Sequence, residues 1–370
     1  MTILHLHFDR IDGLGGTERV IAQLHTSLGG ALAEMAERGG QRRLSDGTVV
    51  HRVARCCWPR WSQPRAMAAA LRSTWQLYQA CQAVDATTLA IHLPVGAAVP
   101  ASLLPRAPRL VAVLHGPETT LSPDQDPAVP IWQQRLYRRA DAIVAVSHDL
   151  AAQASARHPS LVGRITVITN HPDPVLFDHP ISARAPNVIA FVGRLALEKG
   201  VDVLLHAAAL LPQVTVLLVG DGPERARLGQ LSAALGLEER VRFLGALPPD
   251  HVAEAIAPAS LLVIPSRQDA APLVAVESLA LGRPVVASNV GGLPDLIGPE
   301  DGMLVPAADP AALATAITAS LSRPWPCEAM RVRAAARFGT GAWRAAWAAV
   351  LHGRAPCNLQ AAGLSQSASR

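Results

Sequence analysis

No apolar run in this 370-residue chain reaches the length of a membrane span, which excludes a transmembrane helix. The opening residues, MTILHLHFDR, hold too short an apolar stretch for a signal peptide and lack a cleavage-like site. They read as a first β-strand. Cysteine is scarce. The five present (Cys56, Cys57, Cys81, Cys327, Cys357) are odd in number and show no CxxC pair and no zinc spacing. That argues against a disulfide framework or a zinc module and fits a reducing cytoplasm. Charge is sparse too, at 17% of residues with a net +4 and a pI near 9.1. This mild excess, with no interleaved aromatic sheet pattern, argues against a nucleic-acid binder. It permits an anionic partner such as a nucleotide, a phospholipid surface or a phosphorylated acceptor. No internal repeat of short period is visible.

What the chain does have is apolar material, 50% of its residues, and a length that suggests two domains. Strand-like and helix-like runs alternate. In the first half, ILHLHF, TVVHRVA, TTLAIHL, RLVAVLH, AIVAVS and RITVIT read as strands. Helices are expected from Thr17, over Arg65 to Val84 and over Ile131 to Arg139. Several strands are continuous apolar runs, as in a parallel sheet buried on both faces. The alternation breaks at NHPDPVLFDHPISARAPN, where four prolines read as a linker. It restarts with VIAFVG, VTVLLVG, RVRFLG, LLVIP, PVVAS and GMLVP, and helices at about 199–211, 223–235, 248–256, 273–281 and 310–321. The expected organisation is an α/β N-terminal domain over 1–172, a linker over 173–187 and a second α/β domain over 188–338. A C-terminal helix over 339–353 would cross back to the first domain, and a flexible tail would occupy 354–370. Two doubly wound domains of this kind bind ligands at the carboxyl ends of their strands, around a central cleft.

Four segments could carry chemistry. FDRIDGLGGTERV ends a strand, turns through Gly13, Gly15 and Gly16 and starts a helix. Such a turn can offer backbone amides to an anion, or it is a tight turn without a ligand. It lacks the third glycine of a dinucleotide fingerprint and the Lys-Ser/Thr pair of a P-loop. In VGRLALEKG, Arg194 follows a strand and Lys199 precedes a helix, two cations suited to a diphosphate or simply two solvated charges. In PSRQDAAPLVAVESLALG, Asp269 lies on the loop after a strand and Glu277 about one turn into the next helix, which Gly282 and Pro284 end. The amides of Ala271, Leu273 and Val274 would face whatever Asp269 approaches. Both acids are acceptors suited to hydroxyl groups. The alternative is a capping aspartate and a surface glutamate. Gly291 and Gly292 then allow a close backbone turn. Finally, His115 closes a central strand in LVAVLHGPE, as a functional or a structural histidine.

Together these segments resemble the retaining glycosyltransferases of family 4, the group 1 type, with the GT-B fold of two Rossmann-like domains. The resemblance covers nearly the whole chain. GGTE, VGRLALEKG, LLVGDGPER, VRFLGALP, ESLALGRPVVASNVGGLPDLI and DGMLVP carry it by their order and spacing. It implies that Gly15 and Gly16 sit against a donor phosphate and that Arg194 and Lys199 clamp the diphosphate. It implies that Glu277, the second acid of the E-x7-E motif, holds the ribose, and that Asp269 falls on the first. Leu273 and Val274 would offer amides to the sugar and phosphate. The base would lie near Gly245, Ala246 and Leu247, and His115 would contact the transferred sugar. The pattern departs from the family at DAAP, where EGFG is usual, and at TNHPD, where PNG is usual; Asn170 and His171 there would tolerate an unusual turn.

The resemblance implies transfer of a sugar from a UDP- or GDP-linked donor to an acceptor hydroxyl, with retained configuration, in cell-envelope polysaccharide or glycoconjugate synthesis. The acceptor would be a glycan, a lipid-linked or a small molecule. No cofactor is expected, and no metal, since no DxD-like pair is placed to hold one. The stretch HRVARCCWPRWSQPRAMAAALRSTWQLY mixes Arg52, Arg55, Arg60, Arg65 and Arg72 with Trp58, Trp61 and Trp75. It suits either a peripheral membrane contact or a partly buried helix with a solvated basic face. Two rivals stay open: a sugar-nucleotide 2-epimerase, and a non-catalytic sugar-nucleotide-binding protein or inactive paralogue, which the DAAP departure would fit.

Overall fold

The computed structural model describes residues 2–7, 11, 15–56, 64–105, 108–116, 129–181 and 183–353. Gly13, Cys57, Trp58, Arg60, Trp61 and the expected tail over 354–370 lie outside the described residues. The chain divides into two compact units, one of Met1–Thr169 with Gly341–Arg370 and one of Asn170–Thr340.

In chain order, unit 1 contains β1 (Thr2–His7), α1 (Gly16–Leu28), β2 (Ala31–Ala36), β3 (Gly40–Arg43), β4 (Val49–Ala54), α2 (Pro64–Ala83) and β5 (Ala86–His92). It continues with α3 (Pro94–Leu103), β6 (Arg109–Leu114), α4 (Val129–Arg139), β7 (Ala142–Ala145), α5 (His148–Arg157) and β8 (Ile165–Val167). Its sheet runs β3-β4-β2-β1-β5-β6-β7-β8 and is parallel except where β3 meets β4. The strand order reverses between β1 and β5, the switch point of the sheet. Leu4, Leu6, Leu89 and Ile91 from these two strands enter the core with Leu77, Leu136 and Trp132.

Unit 2 holds α6 (Val175–Asp178), β9 (Val188–Val192), α7 (Val201–Ala209), β10 (Thr215–Val219), α8 (Arg225–Ala234), β11 (Val241–Gly245), α9 (Pro249–Ile256) and β12 (Leu261–Ile264). Then come α10 (Leu273–Ala280), β13 (Val285–Ser288), α11 (Leu293–Leu296), β14 (Gly302–Val305), α12 (Pro310–Ser322) and α13 (Cys327–Phe338). Its six-stranded sheet, β11-β10-β9-β12-β13-β14, reverses between β9 and β12. Every pairing in it is parallel. Its continuous apolar strands are buried on both faces, as such a sheet requires. The last helix, α14 (Thr340–His352), is tied to unit 1. The Thr88 hydroxyl donates to the Leu351 carbonyl at 3.0 Å and the Arg109 guanidinium to that of Val350 at 3.2 Å.

The structure differs from the sequence reading at three places. Ala31–Ala36 is a strand although its residues favour helix; pairing with β1 and β4 overrides local propensity. Pro94–Leu103 is helical although Pro100 lies inside it. The segment expected as a linker belongs to unit 2 from Asn170 onward. Two hydrogen bonds tie it there: Arg331 donates to the His179 carbonyl at 2.6 Å, and the Ala185 amide to that of Pro258 at 2.7 Å. Proline composition marks a break in the strand–helix alternation.

No helix among the described residues is long and apolar enough to cross a membrane. Two parts of the Arg/Trp-rich stretch are described: residues 51–56, at the end of β4 and just after it, with half-buried Arg52 and exposed Arg55, and α2, which contains no acidic residue. Helix α2 buries Ala70, Leu77 and Cys81 and exposes Arg65, Leu71, Arg72 and Trp75.

Candidate functional site

In unit 2 the site is built by the two loops that leave the sheet on either side of its switch point. The first runs from the end of β9 through Arg194 to a 3-10 turn at Leu197–Lys199. The second runs from the end of β12 through Ser266 and Asp269 to α10. Their strands are adjacent, with Leu261 opposite Ile189. The loops lock together by backbone and charge. The Arg267 amide donates to the Glu198 carbonyl at 2.8 Å, and the Arg267 guanidinium grips both Asp202 oxygens at 2.8 and 2.7 Å. Burial alone would raise the Asp202 carboxyl; the Arg267 hydrogen bonds and charge outweigh it and hold the group below the usual carboxylate range. Gly200 closes this junction. Its φ is +66°, and a Cβ there would stand 2.0 Å from the Pro265 carbonyl oxygen, so only glycine lets the turn seat against β12.

The result is a direct pair between two of the sequence-predicted residues. Lys199 Nζ donates to Asp269 Oδ2 at 2.7 Å, with side chains 26% and 10% exposed. The hydroxyl of buried Ser266 donates to the same oxygen at 3.1 Å. The Asp269 carbonyl accepts the Gly292 amide at 3.0 Å, so the glycine pair after β13 braces the acid loop from behind. Arg194 is exposed, and its guanidinium makes no hydrogen bond or ion pair among the described residues. It is a cation held on the same loop as Lys199.

Asp269 does not cap α10. The cap position is Pro272, and no side chain caps the helix, leaving amides of its first turn, at Leu273 and Val274, for other acceptors. Glu277 is no surface charge: it is 2% exposed. Asn170 donates from Nδ2 to the Ala271 carbonyl at 2.8 Å, so the two departures from the family pattern, TNHPD and DAAP, touch each other. The tolerance of Asn170 and His171 for unusual angles is not called upon, because neither residue has a positive φ. Burial pushes the His171 imidazole down to about 4. Gly245 ends β11 with φ +74°, followed by exposed Ala246 and half-buried Leu247.

In unit 1, Gly15 lies in extended conformation before α1, whose start has no side-chain cap. The Ile11 amide donates to Glu34 Oε2 at 3.3 Å. Arg42 grips Glu34 through both oxygens at 2.8 and 2.7 Å. His115 follows β6 and contacts His92, its Nε2 lying 2.9 Å from His92 Nδ1. His92 Nε2 in turn lies 3.2 Å from His5 Nδ1. Burial is the main cause holding all three imidazoles neutral. It pushes His115 down to about 3 and His5 to about 4, and His92 well below the ordinary 6.5. Sequence reading missed Ser266, His92, His5 and Glu34. The two histidines of HLHF, spaced two apart on a buried strand, were the available signal.

These histidines predict an acid-sensitive fold. Each native pKa lies below the unfolded value, so the unfolded chain binds more protons between the two. The stability they contribute is complete above about pH 6.5 and is lost as pH falls toward the native values, at about 1.4 kcal/mol per pH unit per ring. The Tm is expected to fall by several degrees between pH 7.5 and pH 5 in scanning calorimetry. A Tm constant over that range would contradict neutral burial.

A model of the glycosyl transferases group 1 family matches residues 177–337, and one of glycosyltransferase family 4 matches residues 14–176. The D-inositol 3-phosphate glycosyltransferase of Mycolicibacterium gilvum is 35% identical over 233 residues, 58% of this chain and 52% of that protein. That of Corynebacterium efficiens is 33% identical over 233 residues, 56% of this chain and 55% of that protein. The chain thus spans about half the length of these relatives. Among solved structures, sucrose-phosphate synthase of Thermosynechococcus elongatus has a TM-score of 0.75 at 22% identity, covering 93% of this chain and 96% of that one. The Anabaena protein HepE in complex with UDP-glucose has a TM-score of 0.74 at 22% identity, covering 95% and 100%. Both show the fold: two parallel-sheet, Rossmann-like domains of GT-B type. With the two family models meeting end to end over residues 14–337, the chain belongs to the group 1, family 4 glycosyltransferases.

Proposed function

We propose that the chain transfers a sugar, with retained anomeric configuration, from a UDP- or GDP-linked donor to an acceptor hydroxyl. The observation that carries this reading is the Lys199–Asp269 pair, on loops that also carry Arg194, whose guanidinium has no ion-pair partner among the described residues, and the uncapped start of α10. It is a set of cations and amides for a diphosphate next to acceptors for hydroxyl groups. When the glycosidic C–O bond breaks, its electron pair leaves on the diphosphate. Arg194, Lys199 and the amides of Leu273 and Val274 would oppose that growing charge. Lys199 would exchange Asp269 for a phosphate oxygen, and Asp269 would then accept from a sugar hydroxyl. Glu277 would hold the ribose. Gly15 and Gly16 would offer amides to the donor phosphate, His115 an imidazole to the sugar, and the region of Gly245, Ala246 and Leu247 would meet the base. These side chains supply the charge without a metal ion or other cofactor.

The UDP and UDP-glucose complexes of HepE support a nucleotide-sugar partner. The named activity of the curated relatives supports a small phosphorylated acceptor, beside the glycan and lipid-linked acceptors of envelope or glycoconjugate synthesis in the cytoplasm. The basic, acid-free outer face of α2 would suit a peripheral membrane contact at the inner leaflet.

Calorimetric titration with UDP, GDP, ADP and dTDP tests the donor site. One nucleotide is expected to bind, and Glu277→Ala to weaken it by about 10- to 100-fold, the loss of charge-assisted hydrogen bonds. Failure of all four to bind would overturn the reading. Binding without transfer would favour a sugar-nucleotide-binding protein that has lost catalysis.

A further inference from the structure

The histidine chain of unit 1 is more than the reading of His115 requires. Register and the two-residue period of strands place its members on one face of the sheet. His5 and His7 lie two apart on β1, His7 is opposite His92 on β5, and His92 is opposite Val113, two residues before His115. All four stand at the carboxyl end of the sheet where its strand order reverses. Such a cluster could suggest a metal, but among the described residues no group of three His, Cys, Asp or Glu is arranged to hold one. The nitrogens of His5, His92 and His115 face each other instead, at 3.2 and 2.9 Å, with the rings of His92 and His115 stacked at 5.2 Å.

We propose that His5 and His92 are positioning residues that set the tautomer of His115 through two imidazole–imidazole hydrogen bonds. This deepens, and for its functional meaning rests on, the reading of His115 as the group that meets the transferred sugar. A neutral imidazole has one N–H and one lone pair. His92 uses both nitrogens within the chain. If its Nδ1 carries the proton and donates to His115 Nε2, its Nε2 is a lone pair and must accept from His5 Nδ1–H. All three rings are then Nδ1–H. If His115 Nε2–H donates instead, all three are Nε2–H. A mixed set puts two N–H groups, or two lone pairs, face to face at hydrogen-bond distance with no water between them, which burial makes costly. The other nitrogen of His115, Nδ1, is therefore a donor in one state and an acceptor in the other, and its role is shared with a residue on the first strand. His7, on the same face, disfavours a positive charge on His92 and His115, and His25 does so for His5. This reinforces the neutrality the scheme needs.

The test is a long-range proton–nitrogen correlation spectrum of the full chain with 15N-labelled histidine at pH 7.5, without donor, assigned by single histidine substitutions. The expected result is one neutral tautomer shared by His5, His92 and His115, which also shows whether His115 Nδ1 donates or accepts. In His92→Phe, which retains an aromatic ring, the His115 nitrogen shifts are expected to move toward the average of the two tautomers. Unlike tautomers in the native chain, a cationic ring at this pH, or His115 shifts unmoved by His92→Phe would overturn the proposal. The native spectrum decides the matter if the variant does not fold. Because no donor is present, failure of glycosyl transfer and failure of this coupling give separate results.

Discussion

Lys199→Ala is expected to lower kcat/KM by about 10³-fold, the scale of removing one preorganised charge from a developing anion, while the chain stays folded. The side chain sits on a 3-10 turn whose position is set by other groups: Gly200 against the Pro265 carbonyl and Arg267 against Asp202 and Glu198. Removing the ammonium leaves that framework intact. It does leave the Asp269 carboxylate, 10% exposed, with Ser266 as its remaining hydrogen-bond donor in this network, so a Tm loss of a few degrees is expected. Arg194→Ala separates the two effects. Arg194 is exposed and makes no ion pair among the described residues, so its loss should leave Tm within about one degree and still cost turnover. Initial rates with the donor identified by titration, beside thermal unfolding, give both numbers. Near-native turnover in either variant would remove that residue from the leaving-group role.

Much of unit 2 is legible because its strands, such as VIAFVG and LLVIP, are buried on both faces and bounded by glycine or proline. A parallel sheet with crossover helices is the natural arrangement of that pattern. The two cations and Asp269 are legible by position, since each lies on a loop at a strand's carboxyl end, and Glu277 by its place one turn into the next helix. Their pairing is not. Nothing in VGRLALEKG says that Lys199 will reach a carboxylate seventy residues later, because that contact depends on β9 and β12 being neighbours across the switch point. Ala31–Ala36 hides for the opposite reason: its alanines, glutamate and methionine have no strand signature, and only its neighbours make it a strand. Glu34, 2% exposed, is tolerated there because Arg42 and Arg52 approach it from outside its own strand. The histidine chain joins β1, β5 and β6, three strands whose order along the chain does not reveal that they are adjacent. At Asn170, sequence reading weighs backbone tolerance, whereas the visible contact is a side-chain hydrogen bond to the Ala271 carbonyl.

Gly291→Ala is the substitution expected to damage the site most without touching a ligand. Two costs combine there. The φ of +56° is one that L side chains rarely adopt, worth about 1–2 kcal/mol. The added Cβ would also lie 1.8 Å from the Asp269 carbonyl oxygen, a distance no side-chain adjustment can relieve because both partners are backbone. The Asp269 loop must retreat, breaking the bond from the Gly292 amide and drawing Asp269 away from Lys199. Gly236→Ala provides the comparison. Its φ is +66°, in the same unit, and a Cβ there meets nothing within 4 Å, so it incurs the conformational cost alone. Gly291→Ala is therefore expected to be less stable than Gly236→Ala by about 1–3 kcal/mol, the usual range for overpacking. It alone should lose turnover, with kcat/KM falling by at least 10²-fold, as displacement of a catalytic group by about an ångström can produce. Equal stability and equal turnover in the two variants would mean that the loop accommodates the methyl group. Asp269 would then be held by Lys199 and Ser266 rather than by the glycine pair behind it.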